Sequence, residues 1–255
     1  MAHLSVILIT KDESANIGAC LESVCWADEI VVVDAGSEDD TVAICRNYTD
    51  KVYIHEDWPG FGAQKNRALR YATGEWVLSL DADERVSPAL REEIEQALAS
   101  NRLDAYAIPR LSTYCGRPIH HSGWWPDHVL RLFKRGCGHF SNSRIHERLI
   151  VAGACGQLCE PLFHESFRSL EEVLDKVNRY STESARMLYE QGRRGGLGTA
   201  IGHGLWTFLR TYVLKAGFLD GREGLMLAIS NAEGSYYRYL KLAYLNGQAT
   251  NNCCD

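Results

Sequence analysis

The sequence predicts an α/β protein in which a mostly parallel sheet with flanking helices is followed by a helical C-terminal appendage. Three observations carry that expectation. Short, nearly continuous apolar runs rich in Val and Ile recur over the first hundred residues, as strands buried on both faces do. Segments with apolar residues three and four apart separate them, and such alternation implies right-handed parallel crossovers. From Ser169 onward the three- and four-residue spacing continues with no strand between.

Each element has its own local reason. Leu4–Thr10 is a β-branched and apolar run that reads as the first strand. Ile17, Cys20, Leu21 and Val24 then fall on one helix face within Asn16–Cys25. Glu29–Val33 is a second buried strand ending at Asp34, and Asp39-Asp40-Thr41 offers caps to a helix reaching about Tyr48. Lys51–Ile54 reads as a short third strand, Gln64–Tyr71 as a helix, and Glu75–Leu80 as a fourth strand ending at Asp81. Ser87-Pro88 opens a further helix, Ser as the cap and Pro in the first turn, with Glu92 and Glu93 early enough to suit the positive end of its dipole. Residues 105–165 are less periodic, although Val129–Phe133 reads as another strand. Leu170, Val173, Leu174, Val177 and Tyr180 then begin the helical region, and Arg193-Arg194-Gly195-Gly196 interrupts it.

Composition narrows the function. The 255 residues carry 27 Lys and Arg against 33 Asp and Glu, a net charge of −6, which argues against a protein whose affinity rests on neutralising nucleic-acid phosphates. The charge is uneven: Arg186–Lys241 holds eight basic and four acidic residues, leaving −9 on residues 1–185. An acidic body with a basic tail suggests contact with something anionic. Nine cysteines, an odd number in a long chain with no basic region before its first apolar run, are read as reduced thiols of a cytoplasmic protein. Cys155 and Cys159, with His164 nearby, lack the second half of a zinc site. No run of 18 apolar residues is present, so no membrane-spanning helix is expected.

In parallel α/β sheets ligands bind beyond the carboxyl ends of the strands. Here those ends carry Thr10-Lys11-Asp12-Glu13, Asp34-Ala35-Gly36-Ser37 and Asp81-Ala82-Asp83-Glu84, three polar clusters on one edge. Asp81 and Asp83 can present oxygens to one hard cation, Mg²⁺ or Mn²⁺, which commonly bridges to phosphates. Lys65 and Arg67 either reach those phosphates or are solvated helix charges. The first turn has no G-x-G-x-x-G, which disfavours a dinucleotide fold.

Taken together, Thr10–Ile17, Val33–Thr41, Gln64–Leu69 and Leu80–Glu84 resemble, in order and spacing, the family 2 glycosyltransferases. The resemblance implies the GT-A, Rossmann-like fold, a nucleotide-sugar donor, read as a UDP-sugar with the subgroup named below, and a divalent cation. It assigns Thr10, Glu13 and Asp34 to the nucleotide's base and ribose, Lys65 to the diphosphate side, and Asp81 and Asp83 to the sugar phosphate and metal. It also implies a catalytic domain over 1–168, with 1–100 binding the donor and 101–168 forming the acceptor side, ahead of a helical region over 169–255.

His120–Asp127 suits an acceptor wall, with Trp124 and Trp125 packing on sugar faces and His121 on hydroxyls, although the tryptophans would serve equally as core. Residues 142–149 and Lys215–Gly221 resemble the lipopolysaccharide-core subgroup, which implies inverting transfer of a hexose, glucose, to a heptose of a lipid-anchored core saccharide at the cytoplasmic face of the inner membrane. Inversion requires a carboxylate base; Glu147 is the first candidate and Asp127 the second. A structural Glu147 paired with Arg144 or Arg148 is the alternative. Leu205–Leu219, apolar and aromatic but interrupted by Arg210 and Lys215, fits a helix lying on an anionic bilayer surface, or one packed on the body or in a dimer. Two rival functions stand beside this one, a phosphohydrolase with Asp81 as nucleophile and a non-catalytic nucleotide-sugar-binding protein.

Overall fold

A computed structural model describes residues 3–141 and 147–251; Arg144, Cys253 and Cys254 lie outside the described residues. The chain divides into two compact units, residues 1–111 with 127–164, and residues 112–126 with 165–255. The chain crosses between the units after residues 111, 126 and 164; the expected boundary at 168 is close to the third crossing, whereas nothing in the sequence marked 112–126 as part of the helical unit.

In the first unit the elements run β1 (Leu4–Thr10), α1 (Ser14–Ser23), β2 (Glu29–Asp34), α2 (Thr41–Cys45), β3 (Val52–Ile54), α3 (Phe61–Tyr71), β4 (Trp76–Leu80), β5 (Glu84–Val86), α4 (Pro88–Ser100) and β6 (Ala105–Tyr114). After β7 (Arg117–Pro118) come β8 (Asp127–Lys134), β9 (Gly138–Phe140), β10 (Leu149–Val151), β11 (Cys155–Gln157) and β12 (Leu162–Phe167). The main sheet has the order β3-β2-β1-β4-β8-β6-β12-β5. β1 lies parallel to both β2 and β4, with Thr10 beside Asp34 and Leu8 beside Leu80. The ends of β1, β2 and β4 therefore open on one edge, as expected. β8 is antiparallel to β4 and β6, so the sheet is mixed beyond the nucleotide-binding half.

The two-residue period of the strands explains why they read as unbroken apolar runs. Leu4, Val6 and Leu8 join Trp76, Leu78 and Leu80 in one core layer with Ile17 and Leu21 of α1 and Leu90 and Ile94 of α4. Ile7, Ile9, Val31, Val33 and Val77 point to the opposite layer, where Ala68 of α3 packs. Each such fully buried aliphatic side chain contributes roughly 1.5–3 kcal/mol. Ser87 caps α4 as expected, accepting from Leu90 N at 3.1 Å, with Pro88 in the first turn. Glu92 and Glu93 fall beyond the first turn, and Glu93 instead accepts from the backbone N–H groups of Cys159 and Glu160. α2 stops at Cys45, short of the expected helix.

Glu29, at the start of β2, is 6% exposed and accepts from Ser5 Oγ, from Lys51 Nζ, and from Thr73 N at 2.7 Å and Oγ1 at 2.9 Å. Burial raises its carboxyl, but those donors together outweigh it and bring the group from 4.5 down to about 2. A carboxyl depressed on folding stabilises the protein above its unfolded value, and that contribution is lost as pH falls from about 4.5 towards 2, up to about 3 kcal/mol in all. Urea midpoints measured between pH 6 and pH 3 should fall for the parent, and Glu29→Gln should flatten that dependence.

The second unit holds α5 (Leu170–Glu190), α6 (Leu197–Leu209), a π turn (Arg210–Leu214), a 3₁₀ turn (Gly217–Asp220) and α7 (Gly221–Asn251). Ser169 caps α5, accepting from Glu172 N. Its core gathers Tyr114, Ile119, Val173 and Leu227, with Trp124, Phe167 and Val177 packed against them. The stretch expected to be one surface helix over 205–219 is broken by the π turn and by Ala216, whose φ is +52°. The break carries Asp220 to a buried position where it accepts from His120 N, His121 N and His121 Nδ1, each at 3.0 Å, and from Ser122 Oγ at 3.2 Å. His121, expected at an acceptor hydroxyl, is thus held by Asp220.

Candidate active site

The site forms where β1, β2 and β4 end. The turns after β1 and β2 are sewn together: Asp12 N donates to Ser37 Oγ, Glu38 N to Asp12 Oδ1, and Lys11 Nζ to the Gly36 carbonyl. Asp34 is fully buried. Its carboxylate accepts from Thr10 Oγ1 at 2.9 Å, Gly36 N at 2.9 Å, Ser37 N at 2.8 Å and Ser37 Oγ at 2.6 Å. Thr10 and Asp34 therefore order the turn from beneath, while Glu13, half-buried, accepts from Asn16 Nδ2 at 2.8 Å.

Asp81 follows β4 and stands between two cations. Lys65 Nζ of α3 lies 2.9 Å from Oδ1, and Arg131 of β8 binds Oδ2. Lys65 is 4% exposed, and its ammonium also reaches Glu147 Oε1 at 3.0 Å. One buried ammonium therefore joins the D-x-D carboxylate to the candidate base, from three elements far apart in sequence. Beside Glu147, Ser141 N donates to the Arg148 carbonyl and Arg148 N donates to Ser141 Oγ. Ser141 lies against Gly62 of α3, where a Cβ would collide with the Ser141 carbonyl. Asn66 holds the same region by bonding both N–H and C=O of Phe140.

Behind Asp81, Arg131 also binds Glu84 Oε1 at 2.5 Å, and Glu84 is fully buried. Partial burial would raise the Asp81 carboxyl, but Arg131 and Lys65 outweigh it and hold the group well below the usual carboxylate range. For Glu84 burial wins over Arg131, with the Asp81 charge adding to it, and its carboxyl is raised. A cavity of about 390 Å³ opens on these groups, lined by Lys65, Asp81, Arg110, Arg131, Glu147 and Arg148 among others. Its charged lining is predominantly cationic, which suits a phosphate-bearing ligand.

The remaining expected residues are distributed as follows. Asp83 does not share Asp81's cations; its Oδ2 lies 3.3 Å from Nε2 of His164, which β12 sets opposite Glu84 of β5. Asp127 at the start of β8 is held by Arg110, at 3.1 Å from Nε and 2.6 Å from Nη2. Arg67 pairs with Asp57 and Gln64 rather than with Asp81. In the second unit Trp124 packs against Tyr114 and Phe167, and Trp125 meets His120 edge-on. Cys155 and Cys159 are exposed free thiols, and no group of three metal-ligating side chains forms among the described residues. Sequence reasoning missed Arg131 and Arg110 as site residues, and named Glu84 only as the end of an acidic turn. The signal available was Arg131 itself, a charge inside Leu130-Arg131-Leu132 on a strand whose neighbours are buried.

The Glycosyl transferase family 2 model matches residues 5–149, more than half of the chain, and includes Asp34, Lys65, Asp81, Arg131 and Glu147. The chain belongs to that family. LpsC of Rhizobium meliloti (strain 1021), a lipopolysaccharide core biosynthesis glycosyltransferase, is 32% identical, aligned over 92% of this chain and 93% of its own. An uncharacterised glycosyltransferase of Rickettsia typhi is 31% identical over 98% and 90%. The structure of S. aureus TarS residues 1–349 in complex with UDP-GlcNAc is similar at a TM-score of 0.51, covering 96% of this chain and 92% of that one, with 16% sequence identity. That likeness is one of fold, and the fold is of the GT-A kind. As a family 2 member the chain is a glycosyltransferase, so the phosphohydrolase reading is set aside.

Proposed function

We propose that this glycosyltransferase transfers a hexose, glucose, from a UDP-sugar to a heptose of a lipid-anchored lipopolysaccharide core saccharide, with inversion at the anomeric carbon. The observation that carries the reading is the meeting of Asp81, Lys65 and Glu147 in one cavity. In the step, Glu147 takes the proton of the acceptor hydroxyl as its oxygen bonds to the anomeric carbon. The bond from that carbon to the diphosphate oxygen breaks, and its electron pair leaves with UDP. Lys65 and Arg110 lie where they can offset the charge that the leaving diphosphate gains. Asp127 is the second candidate for the base because Glu147, and not Asp127, lines the cavity with Lys65 and Asp81. LpsC, a core biosynthesis enzyme similar along nearly its whole length, supports the class of acceptor.

The donor set also fits a divalent cation, although not as the D-x-D alone suggests. Asp83 Oδ2 and His164 Nε2, 3.3 Å apart, are one oxygen and one nitrogen donor of kinds that bind divalent cations. Asp83 and His164 would hold the ion, with Asp81 kept by its cations. Mg²⁺ or Mn²⁺ there would neutralise charge on the diphosphate.

A membrane surface brings such an enzyme to a lipid-anchored acceptor. Leu197, Ile201, Leu205, Leu209 and Val213 lie four residues apart and are 46–62% exposed, an outward apolar row. Trp206, Leu214, Phe218 and Leu219 extend it. Arg193 and Arg194 precede the row, and no acid occurs between residues 191 and 219, which complements an anionic lipid surface. No helix among the described residues is long and apolar enough to cross a membrane.

The transfer is tested with full-length protein, UDP-glucose and a deacylated heptose-bearing core oligosaccharide. UDP should be released only with the acceptor present, and the product should carry a β linkage by anomeric coupling; an α product, or UDP release indifferent to acceptor, overturns the reading. For the membrane face, flotation with phosphatidylglycerol vesicles should fall at least about tenfold in Leu205→Glu/Leu209→Glu, as expected from placing charge on an inserting face. Equal flotation would remove the lipid surface from the proposal.

A further inference from the structure

The second unit contains a cavity of about 450 Å³ whose charged lining is entirely cationic: Lys176, Arg210, Lys215 and Arg238. No Asp or Glu lines it. Arg210, Lys215 and Arg238 have no carboxylate and no side-chain hydrogen-bond acceptor among the described residues. Arg210 and Lys215 were expected to face lipid; they converge here instead.

The site is built rather than accidental. Lys215 crosses directly over Gly123, whose φ is +78° and whose position a Cβ could not share with the lysine's Nζ. The Lys215 carbonyl accepts from Ser122 N at 2.9 Å, fixing the base of that stem. Lys176 is anchored by a bond to the Ser166 carbonyl at 3.0 Å and lies 4.5 Å from the Phe167 ring centre. Trp124 and Phe167 stack with planes 25° apart along the same wall, and Thr211 and Ser230 add hydroxyls.

Four like charges gathered in a concave site repel one another, and the low-dielectric wall around them concentrates their field. An anion entering the cavity relieves that repulsion, and guanidinium groups such as Arg210 and Arg238 match the oxygens of a phosphate. An aromatic wall beside those cations suits the apolar face of a sugar ring. We infer that this cavity binds a phosphate group carried by the saccharide acceptor. The inference rests on the acceptor class proposed above and adds to it a chemical requirement, that the acceptor be phosphorylated.

The test is calorimetric titration of the full-length protein, in about 0.15 M salt, with three probes. They are a deacylated core oligosaccharide bearing its phosphates, the same oligosaccharide dephosphorylated with hydrofluoric acid, and inorganic phosphate. UDP is titrated separately. The phosphorylated oligosaccharide should bind at least about tenfold more tightly than either other probe, as paired charge-assisted bonds allow. Arg210→Gln/Arg238→Gln should abolish that preference while leaving UDP affinity unchanged, and Lys215→Gln should reduce it. Equal binding of the two oligosaccharides, or a preference that survives in the double variant, overturns the inference. Inorganic phosphate binding as tightly as the phosphorylated oligosaccharide overturns the saccharide assignment. A protein that fails to bind UDP yet keeps the preference supports this site and removes the UDP-sugar donor proposed for the other.

Discussion

Glu147→Gln should lower the turnover number for transfer by at least roughly a hundredfold and leave UDP affinity within about twofold, the signature of a lost general base. The substitution is chosen for its geometry. Lys65 Nζ donates to Glu147 Oε1 at 3.0 Å, and a glutamine in the same place still offers a carbonyl oxygen to that ammonium. The contact between Lys65 and Asp81 at 2.9 Å therefore has no reason to change, and the diphosphate side of the cavity stays assembled. What the glutamine cannot do is accept the acceptor's proton. Steady-state kinetics with both substrates varied separates the two effects. If turnover stays near that of the parent, Glu147 is an ion-pair partner of Lys65 and not the base, and Asp127→Asn becomes the next variant to measure.

Arg131→Met carries the largest expected cost in stability. Arg131 is 7% exposed and holds two carboxylates, Asp81 and the fully buried Glu84. Removing one partner of a buried ion network leaves the other charges uncompensated, at about 3–5 kcal/mol. The loss should shrink in acid, because Glu84, already raised by burial, takes up a proton once its cation is gone. Adding Glu84→Gln to Arg131→Met should recover part of it, since a neutral amide needs no counter-charge. Urea denaturation at pH 7 and pH 5 measures all three proteins. A loss below about 1 kcal/mol, or one that does not change with pH, would mean that water or a neighbouring group compensates Glu84.

The parts of this molecule that could be read from the amino acids are those where burial leaves a periodic trace. β1, β2 and β4 are covered on both faces, so their β-branched runs announced them, and their ends located Asp34 and Asp81 near one edge, whereas Lys65, on a helix, could not be told from a solvated charge. Strand direction leaves no such trace. That β8 enters antiparallel between β4 and β6, bringing Arg131 up behind Asp81, is a tertiary fact, and a charged residue on a strand is ordinarily taken to face water. His164 was noticed beside two cysteines because spacing along the chain was the only available measure of proximity; the pairing of β12 with β5 carries it to Asp83 instead. The apolar stretch after Leu205 was legible as hydrophobic, but its break at residues 210–220 depends on Asp220 finding four donors in a segment about a hundred residues earlier.

That last tie changes how shortened forms of this protein should be interpreted. A fragment ending near residue 195 would lose more than its outermost helices. The peptide groups at His120 and His121 and the hydroxyl of Ser122 would be left without the oxygens that receive them, each orphan costing about 1–3 kcal/mol where water cannot reach. A deletion that abolishes activity would then report a collapsed loop as readily as a missing anchor, and point changes along the Leu197–Val213 row are the cleaner way to separate attachment from folding.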